Sequence, residues 1–455
     1  MSKRISILGA GESGIGAALL AKSKGETVFV SDAGNIAEKF VQELNNLTIH
    51  FEQGGHNENH ILTSDLIIKS PGIPEKAPIM KKIRAAGIPV VSEIEYAAQY
   101  SNAKFIAITG SNGKTTTTLL TYHLLKKLGL KVGLAGNIGD SLAKQVVDEQ
   151  FDYYVLELSS FQLDDMHRFR ADIAVLLNIT PDHLDRYDYN FQNYINSKFR
   201  IVQNMNKQNY FIYSGDDTVI QNNLVLKNIA ATMLPIFLSK QSEFGALATS
   251  DKLAFSLNQK FEIPTLNIPL KGKHNMINAM AAISVASLLG FEKPQIETAI
   301  ADFQNAPHRL EPVAILDGVE YINDSKATNV DSVWYALDSF TKPIVWIAGG
   351  VDKGNDYSQL NDLVKTRVKA LICMGVDNAP LHKAFDTLVK NISDTASMQQ
   401  AVEKASAIAE SGDVVLLSPA CASFDLFKNY MDRGDQFKIL VNELMSANKT
   451  KNQAI

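Results

Sequence analysis

Thr109-Gly110-Ser111-Asn112-Gly113-Lys114-Thr115-Thr116 is the stretch around which the chain is organised. The apolar run Lys104 to Ile108 leads into it and a Leu-rich segment, Thr117 to Leu128, leads out, so the order is strand, glycine loop, helix. Gly110 and Gly113 permit positive φ and let backbone N–H groups approach an anion, while the helix start adds the positive end of its dipole. Lys114 supplies a mobile cation and Thr115 a hydroxyl for magnesium, the two side chains that the β- and γ-phosphates of a nucleoside triphosphate require. The loop is shorter than the common G-x-x-x-x-G-K-[ST], because Ile108 stands where the first glycine would. A Gly-Lys turn that only caps a helix is the plainer reading, but strand, loop and helix all fall where phosphate binding needs them.

Downstream, Lys131 to Leu134 runs into the glycine turn Ala135-Gly136-Asn137-Ile138-Gly139, and the run Tyr153 to Leu156 ends in Glu157-Leu158-Ser159-Ser160. A carboxylate at the end of the strand after a phosphate loop has the form of a magnesium-binding acid, so Glu157 is a metal candidate as well as a possible surface charge. Asp172 to Leu177 opens into Asn178-Ile179-Thr180-Pro181-Asp182-His183-Leu184-Asp185, where His183 suits a metal ligand, a base or a helix cap equally. The helical spacing of Tyr194, Ile195, Phe199 and Val202 puts Lys198 near an apolar face, where a lysine usually extends its amine to solvent. Asn209 to Ile268 reads as an antiparallel appendage of short alternating strands. Gly272-Lys273-His274-Asn275 begins a long Ala-rich helix with Asn275 and Asn278 one turn apart, which suits an adenine edge, though helix capping explains Asn275 equally well.

Upstream, the strand at residues 4 to 8 meets Gly9-Ala10-Gly11-Glu12-Ser13-Gly14, and the strand from Thr27 ends at Asp32. On this segment alone NAD is the favoured ligand, although a sugar nucleotide diphosphate sits on the same helix N-terminus with its ribose on the acid. Asp65 to Lys69 is another strand, ending in the rigid turn Ser70-Pro71-Gly72. Beyond Pro307-His308-Arg309, three further strands end in polar loops: Asp324-Ser325-Lys326-Ala327-Thr328-Asn329, Gly349-Gly350-Val351-Asp352-Lys353-Gly354, and Ser418-Pro419-Ala420-Cys421-Ala422-Ser423. Three such loops in one parallel, doubly wound sheet make a site.

A chain of 455 residues exceeds one core, and at about 150 residues per domain three are expected. The fold class is α/β: a Rossmann-like domain at 1–101, a central phosphate-loop domain at 102–305 with a parallel sheet and a small antiparallel appendage, and a Rossmann-like domain at 306–455. The net charge of -5 with mixed signs excludes nucleic acid as a natural partner. Cys373 and Cys421 lie far apart without a C-x-x-C or His companion, as buried thiols of a cytoplasmic protein do. No signal or membrane segment is expected, since Ile277 to Phe291 falls short of the ~20 residues of a span. A dehydrogenase would leave the phosphate loop and Glu157 without a task, and an ATP-switched binding protein would leave the three C-terminal loops without one.

These motifs, together with Glu157-Leu158-Ser159-Ser160-Phe161-Gln162 and Phe424-Asp425 after Ser423, resemble the Mur ligase family over essentially the full length. The phosphate loop, the Glu157, His183 and Gly272 motifs and His308-Arg309 resemble the whole superfamily, folylpolyglutamate synthetases included. The loops at 324–329 and 418–425 resemble the D-glutamate-adding branch, and another Mur ligase or a folylpolyglutamate synthetase is the alternative. The resemblance implies a monomeric ATP- and Mg2+-dependent ligase that forms an acyl phosphate on UDP-N-acetylmuramoyl-L-alanine, which the amine of D-glutamate attacks to give an amide, ADP and phosphate. It implies Gly110 to Thr116, Asn275, Asn278, Arg309 and Asp324 as nucleotide contacts, and Thr115, Glu157, His183 and a carbamylated Lys198 as metal ligands. Lys114, Glu157, His183 and Lys198 are the implied catalytic set. Ser13, Asp32, Ser70, Pro71, Gly72, Asn137, Ser159 and Gln162 are implied for the UDP-sugar, with His183 also at its muramoyl part, and Thr328, Lys353, Ser423 and Tyr430 for D-glutamate. Two departures stand out: Tyr430 replaces the Phe of some members, and Ala33-Gly34 replace the Thr and Arg that hold the uracil nucleotide in others.

Overall fold

Runs of four to seven apolar residues that end in glycine or a polar loop become parallel strands, because a strand covered by helices on both faces needs apolar side chains at successive positions rather than alternate ones. The computed structural model describes residues 2–148, 151–239, 244–270 and 272–453. They divide into two units, Met1–Pro269 with Ile277–Phe303, and Leu270–Met276 with Gln304–Ile455.

The first unit holds two sheets. One comprises β1 (Arg4–Leu8), β2 (Thr27–Asp32), β3 (His50–Gln53), β4 (Leu66–Lys69) and β5 (Val90–Ser92), all parallel in the order β3-β2-β1-β4-β5. Helix Glu12–Ser23 follows β1 directly, and Gly14 has to be glycine there: a Cβ would lie 1.9 Å from the carbonyl oxygen of Gly9.

The other sheet contains β6 (Lys104–Thr109), β7 (Val132–Gly136), β8 (Tyr153–Glu157), β9 (Ile173–Leu176), β10 (Tyr210–Ser214), β11 (Thr232–Phe237), β12 (Gly245–Ala248), β13 (Lys252–Ser256) and β14 (Lys260–Pro264). Its order is β14-β13-β12-β11-β10-β9-β6-β8-β7, parallel from β7 across to β12 and antiparallel only at the β12-β13-β14 end. The antiparallel appendage is therefore present but smaller than the Asn209–Ile268 stretch suggested. Helix Thr218–Leu224, capped by Asp217 through Ile220 N at 2.9 Å, turns β10 and β11 into a crossover pair that extends the parallel sheet. In the genuine appendage, β13 alternates buried and half-buried residues, as an antiparallel strand with one covered face does.

The second unit holds β15 (Glu311–Leu316), β16 (Val319–Asn323), β17 (Ile344–Ala348), β18 (Val368–Met374), β19 (Ile392–Thr395) and β20 (Val414–Leu417), in the order β15-β16-β20-β17-β18-β19. This sheet is not wholly parallel. β15 pairs antiparallel with β16 through Asp317-Gly318, both at positive φ, the mirror-image turn that a two-residue hairpin needs. The remaining pairs are parallel, and β16, β20 and β17 are immediate neighbours, so the three polar loops leave the same sheet edge side by side.

Candidate active site

In the first unit β6 lies between β8 and β9, with Ile108 opposite Glu157 and Thr109 opposite Leu176, so the glycine loop emerges between Glu157 and Asn178. Gly113, at φ 83°, caps helix Lys114–Lys127, and a Cβ on it would meet the Asn278 amide oxygen at 2.5 Å. The loop is held from the β9 side. Asn112 N donates to Asn178 Oδ1 at 2.7 Å, Asn178 Nδ2 donates back to Asn112 O at 3.1 Å, and Ser111 Oγ donates to Thr180 O at 2.9 Å while lying 3.0 Å from Tyr194 OH. Lys114 Nζ folds back onto the carbonyls of Gly110 and Ser111, both at 2.8 Å, so its cation is held at the loop. Thr117 Oγ1 donates to Asn278 Oδ1 at 3.1 Å, which seats Asn278 against the first turn of that helix.

Three ionisable groups converge on this loop. Glu157 is buried; its Oε1 accepts from Asn137 Nδ2 at 2.8 Å, and Oε2 has no hydrogen-bond partner among the described residues. Lys198 does not extend to solvent: it is 1% exposed, and its Nζ donates to Gly110 O at 2.9 Å and Thr109 Oγ1 at 3.2 Å. Burial holds its amine well below the ordinary lysine range, and the Lys114 charge pushes the same way. His183 sits in the left-handed region at φ 52°, packs its ring 5.2 Å from Phe161, and is held below the usual imidazole range by burial, against the opposing charge of Asp182.

At the end of the first sheet, Asp32 Oδ2 accepts from Ala10 N at 2.7 Å and Oδ1 from Gly34 N at 2.8 Å, so its carboxylate braces the glycine turn. The Ser70-Pro71-Gly72 turn is tied to the His183 loop by Arg186, which donates to the carbonyls of Pro71, Gly72 and Ile73 at 3.2 to 3.3 Å and covers the Phe161 ring at 4.3 Å. Ser159 and Gln162 form a reciprocal capping box on helix Ser160–Asp164. A cavity of about 640 Å³ bordered by Lys104, Arg168 and Asp172 opens at the opposite end of β6, away from these groups.

In the second unit Asp324 is buried. It accepts from Ser418 Oγ at 2.9 Å and Leu310 N at 3.1 Å, and burial pushes it up to about 7 in spite of Arg309. Arg309 Nε is buried with no hydrogen-bond partner among the described residues. His274 is pushed down to about 4 by burial and then by Arg309. The three loops are stitched together by Arg433, fully buried, which donates to Ser325 Oγ at 3.0 Å, Ser325 O at 2.9 Å, Cys421 O at 3.2 Å and Gly349 O at 3.4 Å. Ser423 is buried and Tyr430 half-buried, whereas Thr328 and Lys353 are exposed.

Family models match along the chain: a Mur ligase MurD-like N-terminal domain at residues 3–92, a Mur ligase middle domain at 108–286, and a Mur ligase glutamate ligase domain at 308–421. The chain is also 55% identical over 450 residues to the UDP-N-acetylmuramoylalanine--D-glutamate ligase of Cytophaga hutchinsonii, covering 98% of this chain and all of that one. The chain belongs to the Mur ligase family. The Bacteroides fragilis enzyme of the same name is 52% identical (97% and 100% covered) and that of Salinibacter ruber 38% (97% and 98%). Solved Mur ligases share the fold: the UDP-N-acetylmuramate-alanine ligase of Thermotoga maritima at TM-score 0.61 and 18% identity (98% and 100% covered), and MurF of the same organism at 0.60 and 14% (92% and 96%).

Several residues that shape the candidate site escaped the sequence reading. Asn178, Thr180 and Tyr194 lie in quoted segments but act through loop contacts that spacing does not reveal. Arg186 and Arg433 gave no motif signal; Arg433 lies in an otherwise ordinary amphipathic helix, Tyr430–Gln453. The nearest available hint was that both are arginines within a few residues of quoted loops.

Proposed function

We propose that this ligase joins D-glutamate to UDP-N-acetylmuramoyl-L-alanine with ATP, through an acyl phosphate. The observation that carries the reaction type is the meeting of the half-buried Lys114 with the buried Glu157 and Lys198 at one glycine loop, a set of ionisable groups suited to phosphoryl transfer. The full-length likeness to relatives named UDP-N-acetylmuramoylalanine--D-glutamate ligase supports the substrates.

The substrate carboxylate attacks the γ-phosphorus, ADP leaves, and the amine of D-glutamate then attacks the acyl carbon, expelling phosphate and losing a proton. The loop N–H groups from Gly113 to Thr116 and the Lys114 ammonium hold the phosphates, Lys114 exchanging its loop carbonyls for phosphate oxygens, while the N–H groups of Ser111 and Asn112 are spent on Asn178 and set the loop. The orphan Oε2 of Glu157 and the Thr115 hydroxyl suit a hard divalent cation; they would hold Mg2+, which would supply countercharge for the transferring group. An ammonium at Lys198 does not suit a second cation. Its depressed basicity favours the neutral amine that adds CO2 and releases a proton to solvent, and the resulting carbamate, with His183, would suit one well. Asn275, Asn278, Arg309 and Asp324 are assigned to the nucleotide. Ser13, Asp32, Ser70, Pro71, Gly72, Asn137, Ser159 and Gln162 are assigned to the UDP-sugar; the capping box and the brace at Asp32 leave Ser159, Gln162 and Asp32 only their remaining hydrogen-bonding capacity for it. Thr328, Lys353, Ser423 and Tyr430 are assigned to D-glutamate.

Phosphate release measured with each substrate omitted in turn tests the proposal. Release should require ATP, UDP-N-acetylmuramoyl-L-alanine and D-glutamate together; release that depends instead on L-lysine, diaminopimelate or a folate refutes it.

A further inference from the structure

Cys373 lacks a metal-binding companion in sequence spacing, and the fold supplies one. In the parallel pair β18–β19, Leu371 stands opposite Ile392 and Cys373 opposite Asp394. Residues two apart share a face, so both pairs look toward helix Ala379–Phe385, which packs there through Leu381 and Phe385. His382 on that helix sets its Nε2 3.0 Å from Asp394 Oδ1, and Cys373, His382 and Asp394 each bring one ligand atom within 4.8 Å of the others. The other ring nitrogen, Nδ1, lies 2.8 Å from Asp386 Oδ1, one turn along the helix, and Asn378 Nδ2 donates to Asp394 Oδ1 at 3.0 Å.

We propose that Cys373, His382 and Asp394 form a binding site for a thiophilic divalent cation of the zinc class, with Asp386 and Asn378 orienting the ligands. One sulfur, one imidazole nitrogen and one carboxylate oxygen suit Zn2+ and not Mg2+ or Ca2+, which take oxygen ligands. A histidine whose second nitrogen is fixed by a carboxylate is held in the tautomer and orientation a metal needs. Three protein ligands leave a fourth position for water. Binding displaces the thiol proton of Cys373, and the Nε2 proton of His382 where the ring carries it, to solvent. The cation would tie the β18–β19 edge to helix Ala379–Phe385, and so stabilise the second unit without touching the residues assigned to substrates.

The test uses the full-length chain, stripped of metal with a chelator and titrated with Co2+, then with Zn2+ in competition. A sulfur-to-cobalt charge-transfer band should grow and saturate at one Co2+ per chain, and Zn2+ should abolish it and raise Tm. The groups assigned to metal at the phosphate loop offer oxygen and imidazole nitrogen but no sulfur, and take up Co2+ without such a band. Cys373→Ala and His382→Ala should remove the band, Cys421→Ala should keep it, and Asp386→Asn should weaken Co2+ binding by about 10- to 100-fold. Absence of the band in the folded wild-type chain, or its survival in Cys373→Ala, overturns the proposal. If Cys373→Ala does not fold, survival of the band in His382→Ala, changed at a partly exposed helix position, overturns it equally.

Discussion

At the ends of β6, β8 and β9 the buried charges are the groups proposed to do the chemistry, whereas at the ends of β16, β17 and β20 the buried guanidinium is one that no substrate is assigned to touch. Lys198 and Glu157 are each 1% exposed, and Arg433 is fully buried while Lys353 and Thr328 stand in solvent. The difference follows from the two tasks. Phosphoryl transfer needs charge held in place where water cannot screen it, so the phosphate loop accepts the desolvation of its own reactive groups. Recognition of a small amino acid needs several backbone loops in fixed register, and a fork of five N–H donors among loop carbonyls provides that register while leaving the contacts at the surface.

The largest expected effect tests the first half of this contrast. Glu157→Gln keeps the size and an acceptor for Asn137 but removes the charge, so activity should fall by about 10³-fold, of the order found when one preorganised electrostatic group is lost. Because Oε2 is an unpartnered buried oxygen, Tm should hold or rise. A variant with lower Tm and normal turnover would make Glu157 structural. Lys198→Ala should cost about 10²-fold or more on the same grounds, and acetate should restore part of the loss if the working group is a carbamate. Activity that persists undiminished after rigorous removal of CO2 and bicarbonate would sink the carbamate.

How much of this contrast could be read in advance differs between the two edges. The phosphate loop, Glu157 and the fold class were legible because local spacing dictates them: a glycine loop between a strand and a helix has one geometry, and an acid at the end of the neighbouring strand lands beside it. Lys198 was misjudged from periodicity alone, since a lysine beside an apolar face usually reaches water and only the tertiary packing of Thr109 and Gly110 shows that this one does not. Arg433 was invisible, because its partners are mostly backbone carbonyls of three separate loops, 12, 84 and 108 residues away, which carry no side-chain signal. The helix Thr218–Leu224 was too short for its period to register between two strands, whereas the Asp317-Gly318 hairpin was available and overlooked.

Next in size comes the scaffold of the second edge. Arg433→Ala leaves Ser325, Cys421 and Gly349 carbonyls without donors and should destabilise the second unit by about 3 kcal/mol. Arg433→Lys keeps charge but not the fork, and should raise KM for D-glutamate more than KM for ATP. Equal changes in both would mean that the guanidinium does not set the register of these loops. Smaller again is a pH effect that each unit should show. Glu93, bound to Ser141 Oγ and Ala143 N, and Asp324 are both pushed up to about 7 by burial. Their native pKa values lie above the unfolded ones, so between about pH 4 and 7 the native state binds more protons and its stability falls as pH rises, levelling off above. Glu93→Gln or Asp324→Asn should flatten part of that fall by a few degrees of Tm, at roughly 2–8 °C per kcal/mol. Unchanged slopes in both variants would show that other groups set the pH dependence.

The smallest effect belongs to Lys353, and it separates an exposed contact from a buried one. Its side chain stands in solvent on the Gly349–Gly354 loop, so a pair with a D-glutamate carboxylate is screened by water and salt, unlike the buried charges at the phosphate loop. An exposed ion pair is worth about 0.2–1 kcal/mol, so Lys353→Ala should raise KM for D-glutamate by only about two- to fivefold and leave KM for ATP unchanged. The effect should shrink further as salt is added, because the interaction that is lost is already screened. Titrating D-glutamate at low and high ionic strength distinguishes the possibilities. A salt-insensitive loss of a hundredfold or more would mean that the lysine is enclosed and desolvated when D-glutamate binds, which would bring this edge closer in design to the phosphate loop than its free form suggests.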